Sequence, residues 1–380
     1  MLIMISCKQT SEFDLRRLEK TRVILNADKC LSEKPITVTA NIAGRSSGNK
    51  HDFYSEGDYW WPNPNDLEGA YIRKDGLTNP DNFTAHRKAM IRLCYISGSL
   101  ASAYKITENE KYVEALIPHL KAWFINSETK MNPSLLFAQA IKGKVTGRGI
   151  GIIDTLHLIE VALAIKAIEN SSTINKGDLV AIKQWFSTYL NWLITHKFGE
   201  KEKNNGNNHS TCWALQVAAF ANLIGNKNQI DKMRSFYKNT LLPEQMALNG
   251  SFPKETSRTK PYGYSLFNLD AMVSLVQILS TEKENLYHYK TDDGKSIQLG
   301  MAFLYPYIKN KKDWKLKKDV MYWDNWPIKH PSLLFVGLNL NEKKYLKLWK
   351  SLPYDNTQEI VRNTIVKNPI LWSFKDLNGW

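Results

Sequence analysis

The residues best suited to chemistry lie in an uncharged polar run at residues 204–213, which reads NNGNNHSTCW. Asn and Gly tolerate left-handed backbone, so the run predicts a turn. Residues 213–221 are almost continuously apolar and indicate a buried helix. His209 therefore lies where a polar loop becomes a helix, beside several amides that can hold a polar ligand with neutral donors. An Asn-rich surface turn with an incidental histidine fits this stretch equally well.

A second junction of the same kind lies at residues 249–269, where a polar loop with ionisable side chains leads into an apolar helix. A tyrosine at a helix start, such as Tyr264, is more often a core residue. Paired with the first junction, Tyr264 becomes a candidate for proton transfer. Tyr262 is the alternative, ranked lower because Pro261 and Gly263 beside it suggest a turn.

The elements that position these junctions are predicted to be helices. From residue 84 onward, apolar residues recur at helical spacing, in blocks separated by Gly, Pro, Asn or charge clusters. Successive helical hairpins without alternating strands predict an all-α fold, an (α/α) toroid or incomplete α/α barrel, rather than a parallel sheet. Such a fold places loop-to-helix junctions around one rim, so the two junctions are expected to face each other across a shared cleft. The predicted helices span residues 85–105, 109–125, 151–169, 177–197, 210–225, 228–242, 264–280 and 296–309.

Composition narrows the class of partner. The chain has 380 residues, a formal net charge of +14 and 43% hydrophobic residues, enough for a substantial core in one or two domains. The charge favours a polyanionic partner: nucleic acid, an anionic membrane or an acidic polysaccharide. No nucleic-acid-binding motif is present. The 12 Trp, 17 Tyr and 14 Phe are common in carbohydrate-binding clefts and also in helical cores.

Residues 51–83 form a long stretch in which Pro, Gly, Asn and Asp break any helix. Its aromatic side chains, Tyr59, Trp60 and Trp61, favour a binding loop or lid that stacks on sugar rings. The alternative is a loop that its tryptophans merely pin to the core.

Several site classes are disfavoured. The glycines of residues 147–151 lack both a preceding apolar strand and a Gly-Lys-Ser/Thr sequence, so nucleotide binding is rejected. Cys30, Cys94 and Cys212 are widely spaced, without a CxxC pair, and predict neither a zinc site nor a disulfide framework. We therefore predict no metal and no cofactor.

The first seven residues, MLIMISC, resemble the end of a bacterial lipoprotein signal, in which Cys7 would carry the lipid. A basic region and a full apolar segment are missing, so the true start is expected upstream; the alternative is a frayed cytosolic N-terminus. The interpretation predicts a periplasmic protein, anchored to the membrane only at Cys7. We divide the chain into an N-terminal segment, residues 1–24, and a single domain, residues 25–380.

Four pieces together resemble the alginate lyase superfamily of polysaccharide lyases, over roughly residues 50–300. The most specific is the Asn-Asn-His run followed about fifty-five residues later by Arg and Tyr before an apolar helix. Within this superfamily, the sequence resembles the Bacteroidetes-type branch acting on mannuronan or glucuronan more closely than it resembles the smaller bacterial mannuronate lyases. It implies an α/α toroid, β-elimination on a uronate polymer and no obligatory metal. The pieces are residues 59–62 (YWWP), 147–155 (GRGIGIIDT), 207–210 (NNHS) and 255–269.

The resemblance also implies catalytic roles for Asn208, His209, Arg258 and Tyr264. Elimination removes the C5 proton of a uronate, and donors on the neighbouring carboxylate let it take up the developing charge. Asn208, His209 and Arg258 would supply those donors, and Arg258 and His209 would favour the Tyr264 phenolate. In mannuronate or glucuronate, one tyrosine can take the C5 proton and return it to O4. For guluronate or iduronate, His209 would be the base and Tyr264 the acid.

Supporting roles are predicted around these four residues. The three aromatic residues of the loop would form sugar-stacking subsites, Arg73 and Arg148 would meet neighbouring carboxylates, and Gln139 and Glu255 would orient the reacting groups. Alternatives are a non-catalytic lipoprotein that binds acidic polysaccharide and a glycoside hydrolase, which needs paired carboxylates. Only Asp58, Asp154 and Glu255 suggest such carboxylates, and none pairs obviously. The predicted substrate-binding residues are Tyr59, Trp60, Trp61, Arg73, Gln139, Arg148, Asn207, Glu255 and Tyr262.

Overall fold

The computed structural model of the protein describes residues 13–354, 357 and 362–373. The possible lipid-attachment residue Cys7 lies outside these residues, so the lipoprotein interpretation stays a prediction. None of the helices in the described part of the chain has the length and apolar character needed to cross a bilayer.

Helices dominate the described residues, as the apolar spacing predicts. A turn of π-helix, Tyr237–Leu241, joins the α-helices Lys227–Phe236 and Leu242–Gln245. The α-helices are α1 (Leu15–Cys30), α2 (Ala85–Thr107), α3 (Lys111–Phe124), α4 (Leu158–Ile168), α5 (Lys176–Thr195), α6 (Lys197–Lys203), α7 (Asn208–Ile224), α8 (Lys227–Phe236), α9 (Leu242–Gln245), α10 (Pro253–Thr256), α11 (Pro261–Leu279), α12 (Ile297–Lys309), α13 (Pro331–Asn339) and α14 (Lys343–Ser351).

The helices form two layers of a toroid. An inner row runs α2, α4, α7, α11 and α13, each packed on the next. Helices α4, α7 and α11 are buried on nearly all sides, because apolar or small residues occupy almost every position. The outer helices α1, α3, α5, α8, α12 and α14 pack against this row. Hydrophobic burial thus fixes the inner helices, whose N-terminal ends carry both junctions.

Helix α1 was not predicted. It begins at an N-cap, Asp14, whose carboxylate accepts a hydrogen bond from the backbone N–H of Arg17 at 3.0 Å. A buried glutamate, Glu19, interrupts its apolar stripe, so the helical periodicity is weak in the sequence. The boundary that we placed between residues 24 and 25 falls inside this helix, which packs on α2.

The stretch predicted to be irregular contains short strands. Strand β1 (Tyr54–Glu56) pairs in parallel with β4 (Phe137–Ala140), and β2 (Trp60–Trp61) pairs antiparallel with β3 (Ile72–Arg73). The second pair folds residues 57–80, which we call the aromatic loop, into a hairpin. Tyr59 and Asp75 of this hairpin contact Tyr264 and Arg258, whereas residues 64–68 at its tip are exposed.

Candidate active site

A cavity of about 330 Å³ lies where the starts of α7 and α11 meet the aromatic loop. Asn208 and His209 line it from the first junction, and Arg258 and Tyr264 line it from the second. The backbone N–H groups at both helix starts already have partners within the protein, Glu255 for Asn208 and Asp319 for residues 262 and 263, so side chains are what the two junctions offer to an anionic ligand. The other predicted site residues that line the cavity are Tyr59, Trp60, Arg73, Gln139, Arg148 and Asn207.

His209 is held by a buried carboxylate. The side chain of Asn207 caps α7 by accepting a hydrogen bond from the backbone N–H of His209 at 3.0 Å. Nδ1 of His209 lies 2.6 Å from Oε1 of Glu202, whose side chain is fully buried. Burial opposes protonation, but the Glu202 carboxylate outweighs it and raises the pKa of His209. More of the imidazolium therefore persists near neutral pH, where it can donate to an anion.

Asn208 is held by a second buried carboxylate, Glu255. Oε1 of Glu255 accepts the backbone N–H of Asn208 at 2.7 Å, and Oε2 accepts the side-chain amide at 2.8 Å. The Asn208 amide keeps a second N–H for a ligand. Glu255 is fully buried and does not line the cavity, so its prediction as a substrate-binding residue is wrong. Its contacts agree with the predicted orienting role.

Tyr264 shares a hydrogen bond with the aromatic loop, because its hydroxyl lies 2.6 Å from that of Tyr59. Burial, together with Tyr59, raises the pKa of Tyr264 well above the ordinary value for tyrosine. The guanidinium of Arg258, 4.7 Å from the centre of the Tyr264 ring, lowers this pKa but does not overcome burial. Arg258 thus favours the Tyr264 phenolate in the predicted direction, but burial is the larger effect and the net pKa of Tyr264 is raised.

Arg258 enters the cavity as half of an ion pair. Its Nη2 and Nε lie 3.0 and 3.3 Å from the two carboxylate oxygens of Asp75, which also accepts from Thr259. A further cation, Arg73, contacts the same carboxylate at 2.6 Å. Burial opposes ionisation of Asp75, but these partners lower its pKa to about 2. Arg258 and Arg73 thus share one carboxylate, and this cluster keeps a net positive charge before any substrate arrives.

Gln139 and Arg148 form another wall of the cavity. Nη2 of Arg148 donates to Oε1 of Gln139 at 2.9 Å, and its Nε donates to the backbone carbonyl of Gln139 at 3.1 Å. Gln139 has a left-handed backbone, with φ of 50°, and donates its N–H to Ser55 at 2.8 Å. A non-glycine residue in this conformation is costly and is typical of functional positions.

Two aromatic residues predicted to bind substrate lie outside the cavity lining. Nε1 of Trp61 donates to the carbonyl of Leu77 at 2.9 Å, so Trp61 pins the aromatic loop. Tyr262 lies in the first turn of α11 rather than in a free turn; it is fully buried and donates to the carbonyl of Tyr307 at 3.1 Å. Tyr262 therefore belongs to the core, and its substrate-binding prediction is wrong. Trp61 is partly exposed beside the cavity, so its sugar-stacking role stays a prediction.

The carboxylates that a glycoside hydrolase would need are engaged elsewhere. Nη1 of Arg87 lies 2.9 Å from Asp58, and its Nη2 lies 3.2 Å from Asp154. Burial raises the pKa of Asp58, but Arg362 and Arg87 outweigh it and the net pKa is lowered. A general acid needs a raised pKa, which Asp58 lacks. Burial raises the pKa of Glu255, but Glu255 accepts two hydrogen bonds from Asn208 and does not line the cavity, so this set does not fit hydrolysis.

Sequence reasoning missed several residues of the site. Glu202 lies in the charged run at residues 197–203, which is typical of a solvated helix, and Asp75 lies far from Arg258 in sequence. Only the three-dimensional fold brings these pairs together.

Among the described residues, no group of three or more His, Cys, Asp or Glu side chains is arranged to hold a metal ion. The other cavity residues not singled out from the sequence include Lys260, Asp319, Tyr322 and Arg362.

Comparison with known proteins agrees with the sequence motifs. The alginate lyase family model matches residues 37–314, which confirms the predicted resemblance. The sequence has no match among curated proteins.

Among solved structures, an alginate lyase from Bacteroides ovatus is 29% identical, with 94% of each chain covered and a TM-score of 0.82. An alginate lyase A1-III variant complexed with tetrasaccharide is 13% identical, with 93% of each chain covered and a TM-score of 0.60. Alginate lyase A1-III from Sphingomonas species A1 is 14% identical over 83% of this chain and 85% of its own, with a TM-score of 0.52. The last two likenesses concern the fold alone, and the predicted all-α toroid is confirmed.

Proposed function

The chain belongs to the alginate lyase family of polysaccharide lyases, and we propose that it cleaves a 1,4-linked uronate polymer by β-elimination. The preferred substrate is the polymannuronate of alginate, with glucuronan as the alternative. One observation carries the proposal: Tyr264 shares a cavity with Asn208, His209 and Arg258, although the two junctions lie far apart in sequence.

The reaction begins at the carboxylate of the bound uronate. The free N–H of Asn208 and the imidazolium of His209 donate to this carboxylate and stabilise the charge that develops as C5 loses its proton. Preorganisation comes from the two buried carboxylates, Glu255 and Glu202, that hold these donors.

Tyr264 then serves as base and acid. Because its raised pKa keeps Tyr264 protonated before the reaction, its hydroxyl proton first leaves to solvent. The phenolate oxygen then takes the C5 proton, electrons from the C5–H bond form the C4=C5 double bond, and the C4–O4 bond breaks. The proton passes from Tyr264 to O4 of the departing chain, so atoms and charge balance. In mannuronate and glucuronate, the proton and the leaving group lie on the same face, which a single tyrosine can serve.

The pairing of His209 supports this preference. Elimination from guluronate needs a base on the opposite face, a role that the sequence assigned to His209. Because Glu202 raises the pKa of His209, less neutral imidazole is present near neutral pH. His209 is therefore better suited to donating to a carboxylate than to removing a proton.

The test measures the ultraviolet absorbance of the unsaturated uronate released from polymannuronate, polyguluronate and glucuronan. We expect the fastest cleavage on polymannuronate and a loss of about 10³-fold or more in kcat for Tyr264→Phe, with polymer binding retained. Tyr262→Phe is the matched control, because its hydroxyl contacts a backbone carbonyl in the core. Absence of unsaturated product from every polymer, or full activity of Tyr264→Phe, would overturn the proposal.

A further inference from the structure

Among the residues that the structure describes, five lysine and arginine side chains line the cavity, and four of them have polar partners. Arg73 and Arg258 contact Asp75, and Arg362 contacts Asp58. Arg148 donates twice to Gln139. The fifth cation is Lys260.

Lys260 has no hydrogen bond or ion pair within the part of the chain that the structure describes, although it is only 7% exposed. Its Nζ lies 5.1 Å from the ring centre of Tyr59 and 5.3 Å from those of Tyr264 and Tyr322. Burial raises the pKa of Asp319, an acidic residue of the same cavity, and the nearby charge of Lys260 opposes this rise, but the two form no ion pair. The two oxygens of Asp319 accept the backbone N–H groups of residues 262 and 263.

The position of Lys260 lowers the stability of the folded protein rather than adding to it. An ammonium removed from water loses its hydration, and aromatic faces replace only part of that interaction. One of the three rings belongs to Tyr322, whose backbone is left-handed with φ of 65°, a rare conformation for a bulky residue. Such costs persist at positions that serve a ligand. The missing partner of Lys260 is therefore expected to be an anion that enters the cavity.

We propose that Lys260 binds the carboxylate of the uronate unit next to the one that undergoes elimination. This inference rests on the proposed function. A uronate polymer carries a carboxylate on every unit, so a second carboxylate accompanies the reacting one into the cavity. Asn208 and His209 serve the reacting unit, while Lys260 lies among tyrosines of the aromatic loop and of the loop after α12. Lys260 thus selects for a charged neighbour in the polymer.

The backbone of Lys260 allows a clean side-chain test. Its backbone carbonyl accepts the N–H of Tyr264 at 3.0 Å, a contact that does not involve the side chain being changed. Lys260→Met keeps the length and removes the charge, and Lys260→Arg keeps the charge. The matched control is Lys312→Met, an exposed lysine that does not line the cavity.

Steady-state kinetics on polymannuronate give the first readout. We expect Lys260→Met to raise KM about tenfold or more and to change kcat by less than about threefold, since a charged hydrogen bond to substrate is lost. Lys260→Arg keeps the charge but not the shape, so its KM should lie between those of the wild type and Lys260→Met, and Lys312→Met should be unchanged. A loss confined to kcat would overturn the proposal, because Lys260 would then act on proton transfer rather than on binding. Unchanged kinetics would also overturn it, because Lys260 would then have no role in the reaction.

Binding and stability supply independent readouts. In a Tyr264→Phe background, calorimetric titration with polymannuronate should show Kd raised about tenfold by Lys260→Met. The melting temperature should stay equal or rise, because a poorly solvated charge is removed. A fall in melting temperature with unchanged Kd would instead indicate a structural lysine.

The two proposals fail separately. If the wild type releases no unsaturated uronate but binding still depends on Lys260, the lyase function fails and the carboxylate subsite remains. If cleavage occurs and Kd is the same with and without the lysine, the subsite fails and the function remains. If polymannuronate does not bind at all, both are wrong.

Discussion

At the scale of single residues, each donor of the site depends on a carboxylate, which is fully buried for Glu202 and Glu255 and partly buried for Asp75. Asn208 rests on Glu255, His209 rests on Glu202, and Arg258 rests on Asp75. Burying a charge is costly unless it is paired and hydrogen-bonded, so these three acids are retained where they position a cation or an amide. The site is thus stiff before substrate arrives.

The pair of Glu202 and His209 gives a pH-dependent prediction. A His pKa raised by folding adds stability that is fully present below pH of about 6.5 and is lost as the pH rises through the folded-state pKa. Glu202→Gln should therefore lower the melting temperature more at pH of about 5.5 than at pH of about 9. It should also lower kcat/KM at least about tenfold near neutral pH, because the imidazolium is lost. Thermal denaturation measures the change in melting temperature, and the absorbance assay measures the change in kcat/KM.

Glu200→Gln is the control for this experiment. Glu200 is an exposed neighbour in α6 and does not line the cavity, so its removal should change stability equally at both pH values. If the effect of Glu202→Gln were also independent of pH, His209 would not be the titrating partner.

How much of the site could be predicted depends on sequence distance. Asn208 and His209 lie together at a junction whose composition is unusual, so the sequence indicated both. Glu202 is only seven residues from His209, but it has charged neighbours on both sides, so the sequence indicates an exposed residue. Burial of this one glutamate, while Lys201 remains exposed, is decided by packing of α6 that no local pattern encodes.

At the scale of elements, the aromatic loop and the start of α11 are joined by Asp75. Its carboxylate receives Arg258 and Thr259 from the segment before α11, and the loop hydroxyl of Tyr59 meets Tyr264. The long inner helices could be predicted because burial on all sides leaves a clear apolar pattern. The strands of the loop could not, because pairing of two-residue strands is set by contacts with distant elements.

Removal of Asp75 should free the aromatic loop. We expect Asp75→Ala to raise KM about fivefold or more and to lower kcat, since Arg258 loses a charge-assisted partner and the loop loses its anchor. Hydrogen exchange of residues 57–80 should become faster than in the wild type. Asp66→Ala, in the exposed part of the same loop, should leave the kinetic constants and the hydrogen exchange unchanged. Faster exchange with wild-type kinetics would show that the anchor does not serve the site.

At the scale of the whole molecule, residues 369–372 close the toroid. Nε1 of Trp372 donates to Glu160 of α4 at 3.0 Å, and its carbonyl accepts from Gln277 of α11 at 2.9 Å. The ring packs 6.0 Å from that of Phe335 on α13. This turn therefore connects an early helix to the last inner helix. Such closure could not be predicted from a short apolar segment near the chain end, which offers no helical repeat.

Trp372→Ala should destabilise the protein by about 3–5 kcal/mol, because it removes a fully buried indole and one of the donors to the buried carboxylate of Glu160. Urea unfolding followed by fluorescence measures the loss. Trp192→Ala, a half-buried residue that stacks on Tyr189 at the outer face, should cost clearly less. Since Trp372 lies outside the cavity lining, kcat/KM at low temperature should stay within about threefold of the wild type. A large loss of activity in a fully folded variant would mean that closure of the ring also sets the geometry of the site.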